Sequence, residues 1–252
     1  MKVYFVGAGP GAADLLTVRA HRLISSAKVC IYAGSLVSSE VVALVPSGAD
    51  VYDSSRMSLS EIIEICSYSR SRGLDVVRVH SGDPSIYGAI REQMMELDRE
   101  GIDYVVIPGV SSFQAAAAAL KAELTAPEVS QTVILTRTSG RTPMPKTQEL
   151  EELARSRATL CVFLSASKIR ELAGRLVAHY GADCPAAIVY RASWPEEEVI
   201  EGTLESFSVS QDLDRFQKTT MFIVGRALAR EQCRSRLYDP DFSHGFRGGP
   251  HE

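Results

Sequence analysis

The stretch VYFVGAGPGAADLLTVRA, residues 3–20, decides how the fold of this sequence is interpreted. A strand-like apolar run leads into closely spaced glycines, and a helix-like run follows them. Gly7, Gly9 and Ala12 fit the looser form of the dinucleotide-binding pattern, G-x-G-x-x-G/A. A strand, a tight glycine turn and a helix in this order predict a largely parallel α/β sheet.

A nicotinamide site makes two further demands on the sequence, and neither is met. An acidic residue is needed near the end of the second strand to hold the ribose hydroxyls, but that strand-like run continues into AGSLV, residues 33–37. Backbone N–H groups in the glycine turn should also cradle the pyrophosphate, and Pro10 has no N–H to donate. An NAD(P)-dependent oxidoreductase therefore remains only as a disfavoured alternative.

Strand-like and helix-like segments alternate along the sequence, which is typical of βαβ units. The strand-like runs lie at residues 2–7, 28–32, 49–52, 75–79, 104–107, 132–136, 159–164, 186–190 and 220–225. The helix-like stretches lie at residues 14–24, 58–72, 86–100, 112–120, 147–155 and 167–180, and the second opens with a capping-box pattern, Ser58-x-x-Glu61. We predict an α/β fold of two α/β domains, residues 1–112 and 113–252, with mainly parallel or mixed sheets and an irregular C-terminal tail.

The composition is that of a soluble globular protein, with 45% apolar and 23% charged residues among 252. A net charge of −4 disfavours a nucleic-acid partner, and no apolar run approaches the ~18 residues of a membrane span. The five cysteines are scattered without a C-x-x-C pair, and the histidines lack metal-ligand spacing. We therefore predict a cytoplasmic location, buried thiols, no membrane or nucleic-acid partner and no protein-bound metal.

Two more strand-to-helix turns carry unusual residues, SGDPSIYGA at residues 81–89 and PGVSSFQAAAAAL at residues 108–120. Open α/β sheets bind ligands at such turns, beyond the carboxyl ends of their strands. A purely structural alternative makes Asp83 a helix N-cap with Pro84 at the first helical position. In the second turn, the same alternative needs only a serine cap and an alanine-rich helix. The residues alone leave both alternatives open.

Four stretches in order, the opening one, SGDPSIYGA, PGVSSFQAAAAAL and TMFIVGRAL at residues 220–228, resemble the tetrapyrrole (corrin/porphyrin) methyltransferase family. The resemblance covers nearly the whole chain. IYAGSLVS, TRTSGRTPMP and LYDPDFSHGFR, at residues 31–38, 136–145 and 237–247, further resemble members that methylate precorrins in cobalamin biosynthesis. The family's uroporphyrinogen-modifying members carry an aspartate soon after the tyrosine of the second strand, whereas this sequence has Ala33-Gly34-Ser35-Leu36 there, so no catalytic base is carried over.

The resemblance implies S-adenosylmethionine as co-substrate, folded in a cleft between the two domains, and S-adenosylhomocysteine as product. The glycine loop would then line a substrate trough and grip no pyrophosphate. A homodimer is also implied. The cofactor-binding residues carried over by motif are Pro10, Gly82, Asp83, Pro84, Ile86, Tyr87, Ser111, Ser112, Leu164 and Ala192.

A tetrapyrrole substrate of this kind carries many carboxylates, so its site should hold cationic side chains. Arg137, Arg141 and Lys146 share one irregular loop that begins at a strand end. The guanidinium fork suits carboxylates, and we predict that these three residues bind substrate; a solvated basic loop is the alternative. His80 precedes the Gly82 turn, but we expect a satisfied strand-end histidine there and no acid–base role.

Overall fold

A computed structural model describes residues 1–140 and 142–229 of the chain. The described residues form two compact units, the first made of Met1–Ala119 and Tyr190–Glu198, the second of Leu120–Val189 and the described residues from Val199 on. Each unit contains one five-stranded sheet with helices, which confirms the predicted α/β class. The division differs from the predicted domains, because the returning segment Tyr190–Glu198 belongs to the first unit.

The sheet of the first unit is parallel throughout, with strand order β3-β2-β4-β1-β5. Its strands are β1 (Lys2–Gly7), β2 (Val29–Tyr32), β3 (Asp50–Asp53), β4 (Val76–His80) and β5 (Asp103–Ile107). Gly7 pairs with His80, and Val6 pairs with Ile107, so the neighbouring strands β4, β1 and β5 end together. All loops that follow the strands therefore leave from one edge, which we call the carboxyl edge of the first sheet.

Helices cover both faces of this sheet, which is the usual condition of a parallel sheet. They are α1 (Val18–Ser25), α2 (Ser39–Val42), α3 (Leu59–Ser71), α4 (Ile90–Arg99) and α5 (Ser112–Leu120). One core cluster joins Val6 of β1 to Ile24 of α1, and the other joins Phe5 to Leu97 of α4. Alternate residues of β1 thus enter opposite cores, and each large side chain contributes roughly 1.5–3 kcal/mol by its burial.

The capping box predicted at the start of α3 is present. The Glu61 N–H donates to Ser58 Oγ at 3.3 Å, and the Ser58 N–H donates to Glu61 Oε2 at 2.6 Å. Both bonds satisfy donors that the first turn of a helix leaves free.

The second unit has a mixed sheet with strand order β6-β7-β10-β8-β9. Its strands are β6 (Val133–Arg137), β7 (Thr159–Phe163), β8 (Pro185–Tyr190), β9 (Glu198–Thr203) and β10 (Thr220–Val224), and its helices are α6 (Leu150–Ala154), α7 (Ile169–Tyr180) and α8 (Leu204–Val209). β6 runs parallel to β7, whereas β10 runs antiparallel to β7. β9 and α8 were not predicted; β9 is a half-exposed edge strand, so its sequence lacks a clear apolar run.

No helix in the part of the chain that the structure describes is both long and apolar enough to cross a membrane.

Candidate functional site

Three loops meet at the carboxyl edge of the first sheet, one after β1, one after β4 and one after β5. The Gly9 N–H donates to Gly82 O at 3.2 Å, and the Gly82 N–H donates to Gly9 O at 2.8 Å. Asp83 Oδ2 accepts from the Gly109 N–H at 2.9 Å. Gly82 and Asp83, both predicted to bind the cofactor, therefore fasten the loop after β4 to its two neighbours.

The backbones of these loops approach so closely that side chains would not fit between them. A Cβ on Gly7 would lie 2.6 Å from both Gly109 Cα and Gly82 O. Gly82 itself has φ +63, in the left-handed region, and its missing Cβ would lie 3.6 Å from Ser111 Cα and 3.7 Å from Ser112 N. The glycines of the three motifs therefore allow close contact and place Ser111 and Ser112 beside Gly82.

Asp83 organises loops and does not cap a helix. Its Oδ1 accepts from the Ser85 N–H at 2.8 Å, while its Oδ2 accepts the bond from Gly109. The predicted helix 86–100 begins only at Ile90, and Ala89 before it has φ 49. The alternative that made Asp83 an N-cap and Pro84 the first helical residue is therefore wrong.

Two predicted cofactor residues combine exposure of an apolar side chain with an unusual backbone. Tyr87, in the turn that follows Pro84, is 43% exposed and has φ 55; Ile86 beside it is half-buried. Leu164, directly after β7 in the second unit, is 73% exposed and has φ 53. A left-handed conformation costs a residue with a side chain about 1 kcal/mol or more, and such residues concentrate at functional sites.

Pro10 and Ala192 are linked through the returning segment of the first unit. The indole N–H of Trp194 donates to Pro10 O at 2.8 Å across 184 positions of sequence, and Ala192 is buried. Sequence reasoning missed Trp194, because a contact over such a separation leaves no local pattern. Two features of the sequence could have indicated Trp194: it is the single tryptophan of the chain, and it lies two residues after the predicted cofactor residue Ala192.

The basic loop of the second unit has a more specific structure than its sequence indicated. The Arg137 guanidinium donates to the carbonyls of Thr138 at 3.3 Å, Thr142 at 2.9 Å and Pro143 at 3.1 Å. Arg137 thus shapes the loop that was predicted to bind substrate with it. Lys146 is exposed, and Arg141 lies outside the described residues.

A cation absent from the sequence-based set lies beside this loop. Lys168 follows β7, the strand parallel to β6, and its Nζ donates to Ser139 O at 2.8 Å. Parallel strands bring the two loops to the same edge, so Lys168 joins Arg137 near the carboxyl ends of β6 and β7.

His80 and Arg78 are buried on β4, immediately before the Gly82 turn. Arg78 donates to Gln93 Oε1 at 3.1 Å and to Ile31 O at 3.3 Å, and burial lowers its pKa to about 10. Burial lowers the pKa of His80 to about 3, and the Arg78 charge contributes to the shift. Among the described residues 1–140 and 142–229, none forms a hydrogen bond with His80 Nε2. The expectation of a satisfied histidine is therefore wrong at this nitrogen.

The neutral state of His80 predicts a pH-dependent stability. Unfolding returns this histidine to its usual pKa of about 6.5, so the unfolded state binds more protons between about pH 3 and 6.5. The free energy of unfolding should fall as the pH drops through 6.5, with about 2 kcal/mol lost by pH 5 from this residue. In His80→Gln, the free energy of unfolding measured with denaturant should differ less between pH 7 and pH 5 than it does in the wild type. The matched variant His21→Gln, exposed on α1, should keep the wild-type difference; equal pH dependence in all three proteins would contradict the prediction.

Among the residues that the structure describes, no three His, Cys, Asp or Glu side chains come together as a metal site would require.

The site and sheets define a class of protein: a two-sheet α/β protein whose parallel sheet joins three glycine-containing loops at its carboxyl edge. A family model described as Tetrapyrrole (Corrin/Porphyrin) Methylases matches residues 2–208. The chain belongs to this family of methyltransferases.

Individual relatives agree with this membership. The precorrin-4 C(11)-methyltransferase of Rhodococcus erythropolis is 50% identical over 232 residues, 92% of this chain and 93% of that protein. A solved cobalt precorrin-4 methyltransferase, described as a cobalamin biosynthetic enzyme, is 41% identical with a TM-score of 0.87, over 90% of this chain and 96% of that one. A uroporphyrin-III C-methyltransferase of Thermus thermophilus, solved with S-adenosylhomocysteine, is 28% identical with a TM-score of 0.74, over 90% and 99% of the two chains.

Proposed function

We propose that the chain is an S-adenosylmethionine-dependent C-methyltransferase that methylates C11 of precorrin-4 to give precorrin-5 in cobalamin biosynthesis. The observation that carries the proposal is the joining of the Gly9, Gly82 and Gly109 loops at the carboxyl edge of a parallel sheet, in a chain of the tetrapyrrole methylase family. The similarity to a precorrin-4 C(11)-methyltransferase supports precorrin-4 as the substrate and C11 as the position methylated.

The residues of the first unit fit S-adenosylmethionine in chemical character. The ligand presents an amino acid, ribose hydroxyls and an adenine ring, and so needs both polar groups and apolar surface. Ser111 and Ser112 offer hydroxyls beside Gly82, Tyr87 offers an exposed ring, and the Asp83 carboxylate keeps acceptor capacity beyond its two bonds. We assign cofactor binding to these residues with Pro10, Pro84, Ile86 and Ala192, and to Leu164 of the second unit.

S-adenosylmethionine supplies a methyl group already activated on a sulfonium, and a reduced precorrin supplies an electron-rich carbon. The chain then has to orient the two reactants and exclude water, which together lower barriers by roughly 7–11 kcal/mol when the geometry is good. The bonds that fasten the three loops keep the cofactor residues in fixed positions. We assign no general base.

The substrate carboxylates would meet the cations of the second unit, Arg137, Arg141 and Lys146. We add Lys168 to this set, because its Nζ donates to Ser139 O in the same loop. Because Arg137 already holds the loop carbonyls, Arg141 is the better single test of carboxylate binding.

Arg141→Ala should raise the KM for precorrin-4 at least about tenfold, because one charge-assisted hydrogen bond to a carboxylate contributes about 1.5–3 kcal/mol. The affinity for S-adenosylhomocysteine, measured by calorimetry, should not change. The control Arg155→Ala removes an exposed arginine at the end of α6 that pairs with Glu152, and both constants should stay at wild-type values. An unchanged KM in Arg141→Ala would remove this residue from the substrate site.

The function itself is tested by titrating the protein with S-adenosylhomocysteine by calorimetry, with NADH in parallel. One-to-one binding of S-adenosylhomocysteine alone is expected; binding of NADH alone would favour an oxidoreductase and overturn the proposal. Incubation with precorrin-4 and ¹³C-methyl-labelled S-adenosylmethionine, followed by NMR, should then place the label on C11. Label on another ring carbon would keep the methyltransferase class and overturn the assigned position. Parallel reactions with cobalt-precorrin-4 decide whether the substrate carries the metal.

Two further properties belong to the same proposal. We propose a homodimer, which light scattering at micromolar concentration tests directly, since a monomer would contradict it. A cytoplasmic location rests on the scattered cysteines of the sequence and is tested by fractionation of the native cells.

A further inference from the structure

The returning segment, Tyr190–Glu198, holds an unusual local conformation. Arg191 has φ 47 and Ser193 has φ 68, so two residues with side chains are left-handed within three positions. Short-range bonds help to hold this shape: the Trp194 N–H donates to Arg191 O at 2.9 Å, and the Ser193 N–H donates to Glu197 Oε2 at 2.6 Å. Strain of this size persists only where surrounding contacts determine the conformation.

Those contacts come from the loop after β1. Trp194 Nε1 donates to Pro10 O at 2.8 Å, and Ser193 Oγ accepts from the Ala12 N–H at 3.1 Å. Gly11 lies between these bonds, and a Cβ there would overlap the indole, with Trp194 Cγ only 2.9 Å away. Pro10 and Ala12 therefore form hydrogen bonds with the returning segment, and Gly11 between them leaves room for the indole.

The indole is also fixed by its own neighbour. The Arg191 guanidinium carbon lies 5.1 Å from the centre of the Trp194 ring and 5.5 Å from that of Tyr190. Arg191 Nη1 forms an ion pair with Glu196 Oε2 at 3.2 Å. A cation stacked on an indole contributes about 0.5–1 kcal/mol at an exposed site, so the ring is held from inside the segment as well as by Pro10.

We propose that Trp194 is a positioning residue for the cofactor, one that sets Ala192 relative to Pro10. The proposal rests on the proposed function, since it takes Pro10 and Ala192 as cofactor residues. Trp194 acts through its bond to Pro10 O and its packing on Gly11, so a cofactor bound at Pro10 and Ala192 changes the surroundings of the indole even without touching it. Gly11 in this view serves the indole and has no role in holding a phosphate.

The first test uses the wild-type protein, whose single tryptophan makes its fluorescence a reporter of this one position. Titration with S-adenosylhomocysteine should change the tryptophan emission and saturate with the same Kd as calorimetry. Calorimetric binding without an emission change would overturn the positioning role while leaving the proposed function intact. Absence of calorimetric binding would instead be the failure of the proposed function.

The second test is Trp194→Phe, which keeps an aromatic ring beside Gly11 and removes the donor to Pro10. The Kd for S-adenosylhomocysteine and the KM for S-adenosylmethionine should each rise about tenfold, as expected for one lost hydrogen bond that leaves a carbonyl unpaired. The kcat at saturating S-adenosylmethionine and the KM for precorrin-4 should remain those of the wild type.

A matched control is Tyr68→Phe, because Tyr68 is an exposed aromatic residue of α3 with an arginine, Arg72, 5.5 Å from its ring centre. It should leave all four constants unchanged. An unchanged Kd in Trp194→Phe, or an equal rise in the KM for both substrates, would overturn the proposal.

Discussion

Replacing Gly109 by alanine should abolish most of the methyltransferase activity. The new Cβ would overlap the Gly82 carbonyl oxygen and lie 2.8 Å from Gly7 Cα. Both neighbours are backbone atoms, one in the loop that holds Gly82 and Asp83 and the other at the end of β1, so the loop with Gly109 must move away from both. We expect the free energy of unfolding to fall by about 3 kcal/mol, as in severe overpacking. We also expect kcat/KM to fall at least about hundredfold, since a displacement near 1 Å at a reacting centre has that effect.

Gly48→Ala is the matched control, because a Cβ at Gly48 would meet no atom of the described part of the chain within 4 Å. Denaturant unfolding and a methylation assay should give wild-type values for this variant. A Gly109→Ala protein with wild-type stability and activity would mean that the three loops do not need their close approach.

Replacing Asp83 by alanine should have the second largest effect. The change removes the acceptor of the Ser85 and Gly109 N–H groups and leaves the Gly109 donor without its partner in the loop after β4. A hydrogen bond to a charged group contributes about 1.5–3 kcal/mol, so we expect about 2 kcal/mol less stability. The affinity for S-adenosylhomocysteine, measured by calorimetry, should fall about thirtyfold or more, which corresponds to the same free energy.

A graded series makes this prediction sharper. Asp83→Asn keeps one acceptor oxygen and should fall between the wild type and Asp83→Ala. Asp75 offers the matched control, because its Oδ1 accepts from the Lys2 N–H at 2.6 Å at the opposite edge of the same sheet. Asp75→Ala should lose some stability and no affinity. Equal losses of affinity in Asp75→Ala and Asp83→Ala would show that affinity follows general stability and not the Asp83 bonds.

The sequence predicted the regular elements well where an apolar run is bounded by turn-forming residues. β1 and α5 have the predicted bounds, 2–7 and 112–120. The side chains of a buried parallel strand pack into the cores on both faces of the sheet, so the strand appears in the sequence as an unbroken run of apolar residues. The start of α4 was predicted four residues too early, because Ile86 continues the apolar pattern of the helix although Tyr87 and Ala89 are left-handed.

The candidate site was predictable from motifs but its internal bonds were not. The motifs marked Gly82, Asp83 and Ser111 without indicating that Asp83 accepts the Gly109 N–H. The Trp194 bond to Pro10 and the Lys168 bond to Ser139 also join distant segments. Such pairings depend on which loops the sheet order brings to one edge, and local spacing carries no information about that order.

The return of Tyr190–Glu198 to the first unit bears on how this protein can be divided. A cut between residues 119 and 120 would not release two complete modules. The N-terminal fragment would lack Trp194 and Ser193, and the Pro10 carbonyl and the Ala12 N–H would lose their partners. Domain exchange between relatives would therefore have to carry two separate stretches of the gene together to transfer an intact first unit.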